Sequence, residues 1–168
     1  ESVIITTGGQ SYPGCGTTGD AYQWMIDLGH TVVPPRPALT PIVSHATWVT
    51  SLKGVTIPDA VLRVVVGDRS STPGNTITKR KNKPLDERRG SLLFTHFGLS
   101  GPVALDVSRT IAGHPTPTAL DLECDFLPTK STDEVEADVA REARLAGKKQ
   151  LVAILSRILP RRLAEVLL

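Results

Sequence analysis

The alternation of apolar and polar residues predicts several short strands in the middle of the chain. The clearest case is Ala119–Phe126, where every second residue is apolar or cysteine and the residues between them are acidic. A strand with one buried and one solvated face has this period of two. Ala60–Val66 has a similar period with Arg63 on its polar face, and Thr76–Arg80 and Ser91–Thr95 are predicted as a further pair.

The beginning of the chain is predicted to be a strand, a glycine-rich turn and a helix. Val3–Thr6 is apolar and β-branched, which is typical of a buried strand. The helix is predicted to begin near Thr17, which can cap it, and to end at Gly29. Apolar residues recur along it at helical spacing, so one face is expected to be buried. The residues of this face are Ala21, Trp24, Met25 and Leu28.

A proline-rich stretch separates this first segment from the rest of the chain. Val32–Ile42 contains four prolines, so it is predicted to be an extended linker rather than a helix. We therefore expect a domain boundary near Arg36. Because the chain lacks an initiator methionine and opens inside a predicted strand, we also expect it to be a piece of a longer protein.

Helices are predicted after the strands. One short helix begins near Gly101-Pro102, since proline suits the first turn of a helix. Beyond Leu127-Pro128 the chain becomes helical, and Ser131 or Thr132 caps a helix whose first turn is acidic, which complements the helix dipole. This helix is predicted to end at Gly147. Two more helices are predicted at Lys148–Leu159 and Pro160–Leu168.

Charge and cysteine content narrow the class of protein. The formal net charge of +2 gives no global field that favours nucleic acid or a membrane surface. No apolar run is long enough to span a bilayer. The two cysteines, Cys15 and Cys124, are far apart and lack the spacing of metal ligands, so a disulfide scaffold or a zinc site is not expected. We expect a protein of the cytoplasm with no metal site.

Two stretches carry candidate ligand chemistry. Thr7-Gly8-Gly9 and Gly16–Gly19 lie between a predicted strand and a helix N-terminus, where glycine lets a ligand approach the backbone and the helix dipole favours phosphate. A tight loop without a ligand fits the same residues. No complete dinucleotide or P-loop motif occurs in the chain, so a whole nucleotide site is not encoded.

The second stretch is Leu92–Pro102, which delivers His96 to a predicted loop at a strand end. His96 could act as a proton donor or substrate ligand, or it could hydrogen-bond the turn backbone. Ser100 lacks the sequence context of a nucleophile and is predicted to be a helix N-cap. A basic connection, Lys79–Arg89, is either a solvated loop or an RNA-contacting patch. The residues proposed for that RNA contact are Lys79, Arg80, Lys81 and Lys83.

Three blocks in the same order resemble the BaiN/YhiN-like flavoproteins, which include the aminoacetone oxidase group. The blocks are "TTGGQSYPGCGTTGDAYQWMIDLGHTVVPPRPALTPI", "GSLLFTHFGLSGPVALDVSR" and "LPRRLAEVLL". The resemblance implies an FAD-dependent, often NAD(P)-linked oxidoreductase whose FAD-binding domain is interrupted by a long insertion. It implies an α+β fold with three parts: residues 1–35 as a remnant of the split FAD domain, 36–127 as a small, mostly antiparallel β-barrel-like unit, and 128–168 as a helical unit.

The resemblance also implies roles for individual residues. Thr6, Thr17 and Ala21 stand where the family has alanine, serine and glycine. The positions that match the family's cofactor-proximal turn are Thr7, Gly8, Gly9, Ser11, Tyr12, Gly16, Thr18, Gly19 and Asp20. The positions that match a loop on the substrate side of the flavin are Thr95, His96, Gly98, Ser100 and Gly101. The family offers no assigned catalytic residue to transfer, and His96 is the candidate chosen here.

The resemblance leaves three hypotheses for function. The first is the substrate-covering insertion of an FAD-dependent oxidoreductase that uses NADH or NADPH and acts on a small molecule. This chain would then lack a complete FAD site, would be inactive alone, and would need the missing N- and C-terminal halves of the FAD domain. The second is an RNA-docking module of a flavin-dependent uridine reductase, with ribosomal RNA as the partner. The third is a structural spacer.

Overall fold

The computed structural model describes residues 2–67, 83–146 and 151–168, and it divides into two compact units, Glu1–Pro37 and Ala38–Leu168. The helices are α1 (Asp20–Asp27), α2 (Thr47–Ser51), α3 (Pro102–Gly113), α4 (Thr132–Ala146), α5 (Leu151–Leu155) and α6 (Arg161–Leu167). The strands are β1 (Ile42–Val43), β2 (Thr56–Val66), β3 (Asp86–Phe94), β4 (Gly98–Ser100) and β5 (Leu120–Asp125).

The second unit is built on one antiparallel sheet with the strand order β1-β4-β3-β2-β5. The α+β class with a mostly antiparallel β unit is therefore confirmed. The alternation predicted for the fifth strand is also correct, because its apolar residues pack against the core. These residues are Leu120, Leu122, Cys124 and Phe126.

The core of this unit lies between the sheet and α3. Ala60, Leu62 and Val64 of β2 face α3 and are fully buried. Val103 and Val107 of α3 pack against them. Burial of each such side chain is worth about 1.5–3 kcal/mol relative to exposure. Val66 departs from the predicted pattern: it is 53% exposed at the end of β2.

The first unit differs from the sequence prediction in two respects. Val3–Thr6 has no regular secondary structure, so it is not a strand, and Val3 and Ile4 are each 86% exposed. A strand requires a neighbour to complete its hydrogen bonds, and no described residue of this unit pairs with it. The apolar face of α1 is also not buried, because Trp24 is 48% and Leu28 is 69% exposed. The helix itself and its end before Gly29 are confirmed.

The helical end of the chain agrees with the prediction at its first helix. Ser131 and Glu134 form a capping box: the Glu134 carboxylate accepts the Ser131 N–H at 2.7 Å, and the Ser131 hydroxyl accepts the Glu134 N–H at 3.3 Å. The end predicted at Gly147 lies outside the described residues. The helix predicted at 148–159 is described only from Leu151 and ends at Leu155.

The short elements α2, β1 and β4 were not predicted from the sequence. Residues 98–101 were predicted to be a loop, whereas Gly98–Ser100 is a strand. Asp86–Arg89 was predicted to lie in a connection, whereas these residues belong to β3. The strand predicted at Thr76–Arg80 lies outside the described residues. No helix in the described ranges is long and apolar enough to cross a bilayer.

Candidate functional site

The glycine-rich turn of the first unit is held by hydrogen bonds within itself. The Tyr12 N–H donates to Thr17 Oγ1 at 2.9 Å, and the Thr18 hydroxyl donates to Asp20 Oδ2 at 3.0 Å. Thr17 is therefore not the helix cap that the sequence predicted. Gly19 holds the N-cap position with φ +83°, a left-handed conformation that few side chains tolerate.

The residues predicted to contact a cofactor lie together in this turn. Most are exposed, and Gly9 and Gly19 are half-buried. A Cβ on Gly9 would lie 3.0 Å from Tyr22 Oη, and one on Gly19 would lie 3.1 Å from Tyr22 Cδ2. The tyrosine ring thus packs between the two parts of the turn. The turn presents hydroxyls and backbone to solvent, so it can contact a polar ligand on one side.

The loop predicted on the substrate side is a tight hairpin between β3 and β4. The Thr95 N–H donates to the Gly98 carbonyl at 2.8 Å, and the Thr95 hydroxyl donates to the same oxygen at 3.0 Å. Thr95, rather than His96, therefore supplies the side-chain hydrogen bonds that close the turn. His96 is exposed at the tip, with its ring edge-on to Phe97 at a centroid distance of 4.8 Å.

The glycines after this hairpin are required by packing. A Cβ on Gly98 would lie 2.1 Å from the Ile42 carbonyl oxygen, because β1 crosses directly against β4. A Cβ on Gly101 would lie 2.8 Å from the Ser91 carbonyl oxygen. Ser100 ends β4 and Gly101 holds the N-cap position of α3, so the N-cap predicted for Ser100 is wrong.

The basic connection predicted to contact RNA is described only in part. Lys79, Arg80 and Lys81 lie outside the described residues, and Lys83 is exposed. The arginines of the same stretch are paired: Arg88 contacts Asp86 at 3.1 Å, and Arg89 makes two hydrogen bonds of 2.7 Å to Asp59. The Arg89 guanidinium lowers the pKa of the Asp59 carboxyl through these hydrogen bonds.

The sheet face opposite α3 carries more acidic than basic residues. Arg63 lies opposite Glu87 on β3 and opposite Glu123 on β5, and Val61 lies opposite Arg89 and Asp125. Directly paired residues share a face of the sheet. Val65 lies opposite Asp121 on β5. Among the directly paired residues, this face therefore combines two arginines with four carboxylates, those of Glu87, Asp121, Glu123 and Asp125.

The two cysteines differ in their environment. Cys15 is exposed in the glycine-rich turn. Cys124 packs against the core, and burial raises the pKa of its thiol to about 12, with a smaller contribution from the charge of Glu123. No group of side chains in the described parts of the chain could hold a metal ion.

The corner formed by α2 and α6 in the second unit was not predicted from the sequence. Trp48 on α2 is 40% exposed, and its ring packs on Phe94 at a centroid distance of 6.2 Å. Arg162 on α6 donates from Nη1 to the Lys53 carbonyl at 2.9 Å and from Nη2 to the Ser51 carbonyl. The sequence does contain one signal for a corner without negative charge, because no aspartate or glutamate occurs between Asp27 and Asp59.

Similarity to known proteins identifies the family of the chain. The family model of the HI0933-like protein barrel and H2TH domain matches residues 36–168. The chain is 33% identical over 168 residues to ribosomal RNA dihydrouridine synthase of Haemophilus influenzae, covering 99% of the chain and 35% of that protein.

Two further relatives align over shorter ranges. Ribosomal RNA dihydrouridine synthase of Escherichia coli is 33% identical over 111 residues, which are 64% of the chain and 23% of that protein. The 3-dehydro-bile acid delta(4,6)-reductase of Clostridium scindens is 28% identical over 144 residues, covering 85% of the chain and 30% of that protein. The chain thus spans between 23% and 35% of the length of these relatives.

Proposed function

Since the chain belongs to the HI0933-like family of flavoproteins, we propose that it forms the substrate-covering region of an FAD-dependent oxidoreductase. The observation that carries the proposal is the match of residues 36–168 to the family's barrel and H2TH domain. Relatives that bear the names of a synthase of dihydrouridine and of a bile acid reductase support an enzymatic parent. We propose NADH or NADPH as the electron donor of that parent.

The glycine-rich turn fits part of such a cofactor. Its exposed backbone and hydroxyls, with the N-terminus of α1 beside them, suit contact with a phosphate group. Segments outside this chain would supply the other contacts to FAD. When bound, FAD supplies hydride transfer, while this chain's residues bind, orient and exclude water.

His96 is the residue that we propose at the substrate. It stands exposed at the tip of a hairpin whose backbone is fixed by Thr95 and whose base is buried at Phe94. A side chain at a rigid tip can meet a ligand without reorganisation of the strand below it. Its imidazole nitrogens can donate or accept a hydrogen bond to a substrate.

The test uses the full-length protein with His96→Ala, and His45→Ala as the matched exposed control. Ribosomal RNA and a 3-dehydro-bile acid are the substrates to assay, because relatives are named for them. We expect His96→Ala to lower turnover at least about 100-fold with flavin content unchanged. Unchanged turnover removes His96 from the mechanism. A full-length protein without flavin absorbance, even after reconstitution with FAD, contradicts the oxidoreductase proposal itself.

Ribosomal RNA as the substrate is a second candidate, favoured by the two relatives named ribosomal RNA dihydrouridine synthase. In this case residues of the second unit would contact RNA, and the proposed contacts include Lys79, Arg80, Lys81 and Lys83. Neutralising these four side chains would then weaken RNA binding and flatten its dependence on salt. RNA affinity that is indifferent to these charges would exclude the basic connection as the contact.

A third candidate, the structural spacer, makes the opposite prediction. A spacer between domains needs no ligand contact. Saturable binding of RNA or of a small-molecule substrate that depends on residues of this chain would exclude it.

A further inference from the structure

The corner formed by α2 and α6 combines an exposed aromatic ring with exposed cations. Trp48 is 40% exposed although the neighbouring Val49 and Leu52 are 4% and 1% exposed. Phe94, which is 1% exposed, braces the indole ring from below. A large aromatic side chain held in one place and open to solvent on its other side is suited to stacking against a flat ring.

Two cations lie at the C-terminal end of α2. Lys53 is exposed just after the helix end, and the Arg162 guanidinium hydrogen-bonds the carbonyls of Ser51 and Lys53. An arginine has five N–H donors in a rigid fork, and the two backbone carbonyls fix the plane of this one. The guanidinium is therefore held in place before any anion arrives.

The charge around this corner differs from that of the sheet face opposite α3. Within the second unit, no acidic residue occurs in the sequence from Ala38 to Pro58, and on α6 the Glu165 carboxylate is engaged by Arg161 at 2.8 Å. The sheet face, in contrast, carries four carboxylates with two arginines. A polyanion would be attracted to the corner and repelled by that sheet face.

We propose that Trp48, Lys53 and Arg162 form a binding site for single-stranded RNA, with a base stacked on the indole and backbone phosphates at the two cations. Aromatic rings that stack bases beside basic groups that contact phosphates are the two parts of a single-strand site. The proposal rests on ribosomal RNA as the substrate of the parent. It places the RNA contact at the α2–α6 corner and not at the basic connection.

The experiment measures binding of a fluorescently labelled 12-residue oligouridylate to the full-length protein by anisotropy, across a series of salt concentrations. Trp48→Ala is expected to weaken binding about 5- to 150-fold, the effect of losing one stacked base, and Trp48→Phe to restore most of it. Lys53→Gln is expected to lower the slope of log affinity against log salt by about one. Arg141→Gln, which removes an exposed cation on α4 that is already paired with Asp138, is the matched control and should change neither quantity.

The outcomes separate this proposal from its rivals. Wild-type affinity in Trp48→Ala, together with an unchanged salt slope in Lys53→Gln, overturns the proposal. Loss of binding confined to a variant with Lys79, Arg80, Lys81 and Lys83 changed to glutamine assigns the contact to the basic connection. A full-length protein that holds flavin but does not bind the oligonucleotide also overturns the corner site and leaves the oxidoreductase proposal standing.

Discussion

The two cysteines differ in burial, and their reactivities should differ accordingly. Burial raises the pKa of the Cys124 thiol to about 12, whereas Cys15 is exposed. A three-unit rise lowers the thiolate fraction about a thousandfold at neutral pH, and the thiolate is the reacting form. We expect iodoacetamide to modify Cys15 in the native protein and Cys124 only after unfolding, as measured by mass spectrometry. Equal rates for the two thiols would mean that Cys124 is accessible.

The same thiol gives a dependence of stability on pH. The unfolded thiol ionises near its ordinary pKa of 9.0, while the folded thiol stays neutral up to about pH 12. The unfolded state therefore loses its proton first, and the contribution of Cys124 to stability is lost as pH rises from about 9 to 12. Cys124→Ala should flatten this part of the profile of unfolding free energy against pH. An unchanged profile would show that the thiol does not titrate in this way.

Gly98 is the glycine whose substitution should cost most. A Cβ there would lie 2.1 Å from the Ile42 carbonyl oxygen, which is backbone and cannot swing aside. We expect Gly98→Ala to lower the free energy of unfolding in urea by more than about 2 kcal/mol. Gly90→Ala is the control, because its nearest neighbour would be Val103 Cβ at an ordinary 3.6 Å. A similar small effect of both substitutions would refute the packing explanation.

At the scale of elements, the capping box fixes where α4 begins. The backbone N–H of Ser131 and, to a smaller extent, its hydroxyl lower the pKa of the Glu134 carboxyl, so the folded state favours the ionised form. This contribution is present above the unfolded pKa near 4.5 and is lost as pH falls through the lowered value. We expect Ser131→Ala to cost about 1 kcal/mol near neutral pH and less in acid. Thr132→Ala, next to it, is the control. A loss that does not diminish in acid would assign the effect to something other than this pair.

Elements were predictable where the pattern is local and long. The β5 alternation, the start of α3 at proline and the Ser131 cap are all visible in a few neighbouring residues. The short elements α2, β1 and β4 depend on distant partners, since β1 exists only because Ile42 pairs with Leu99. Gly98 looked like a loop residue for the same reason. What forces a glycine there is a strand more than fifty positions earlier in the sequence.

The candidate site residues also divide into those that a local motif predicts and those that only the fold brings together. The resemblance indicated the glycine-rich turn and the His96 hairpin from contiguous motifs, and their roles stay predictions. The α2–α6 corner joins Trp48 and Lys53 to Arg162, residues more than a hundred positions apart, and no local motif links them. Only folding brings the guanidinium to the end of α2.

At the scale of the whole molecule, the two units differ in how much they bury. No described residue up to Pro37 is buried, whereas the second unit has a continuous core. We expect the amides of α1 in this 168-residue chain to exchange with deuterium within seconds to minutes, while those of β2 and β3 are protected for far longer. Slow exchange of α1 in the 168-residue chain would show that the first unit is stable by itself.

The position of β2 in the sheet has a consequence during synthesis on the ribosome. This strand needs β5 to complete its second row of hydrogen bonds, and β5 lies roughly 60 residues further along the chain. At roughly 5–20 residues per second, one edge of β2 stays unpaired for about 3–12 s after it leaves the exit tunnel. Its sequence "AVLRVVV" then offers a β-branched, apolar template to other nascent chains. Arg63, the single charge in that run, would act as the gatekeeper that opposes aggregation before the fold is complete.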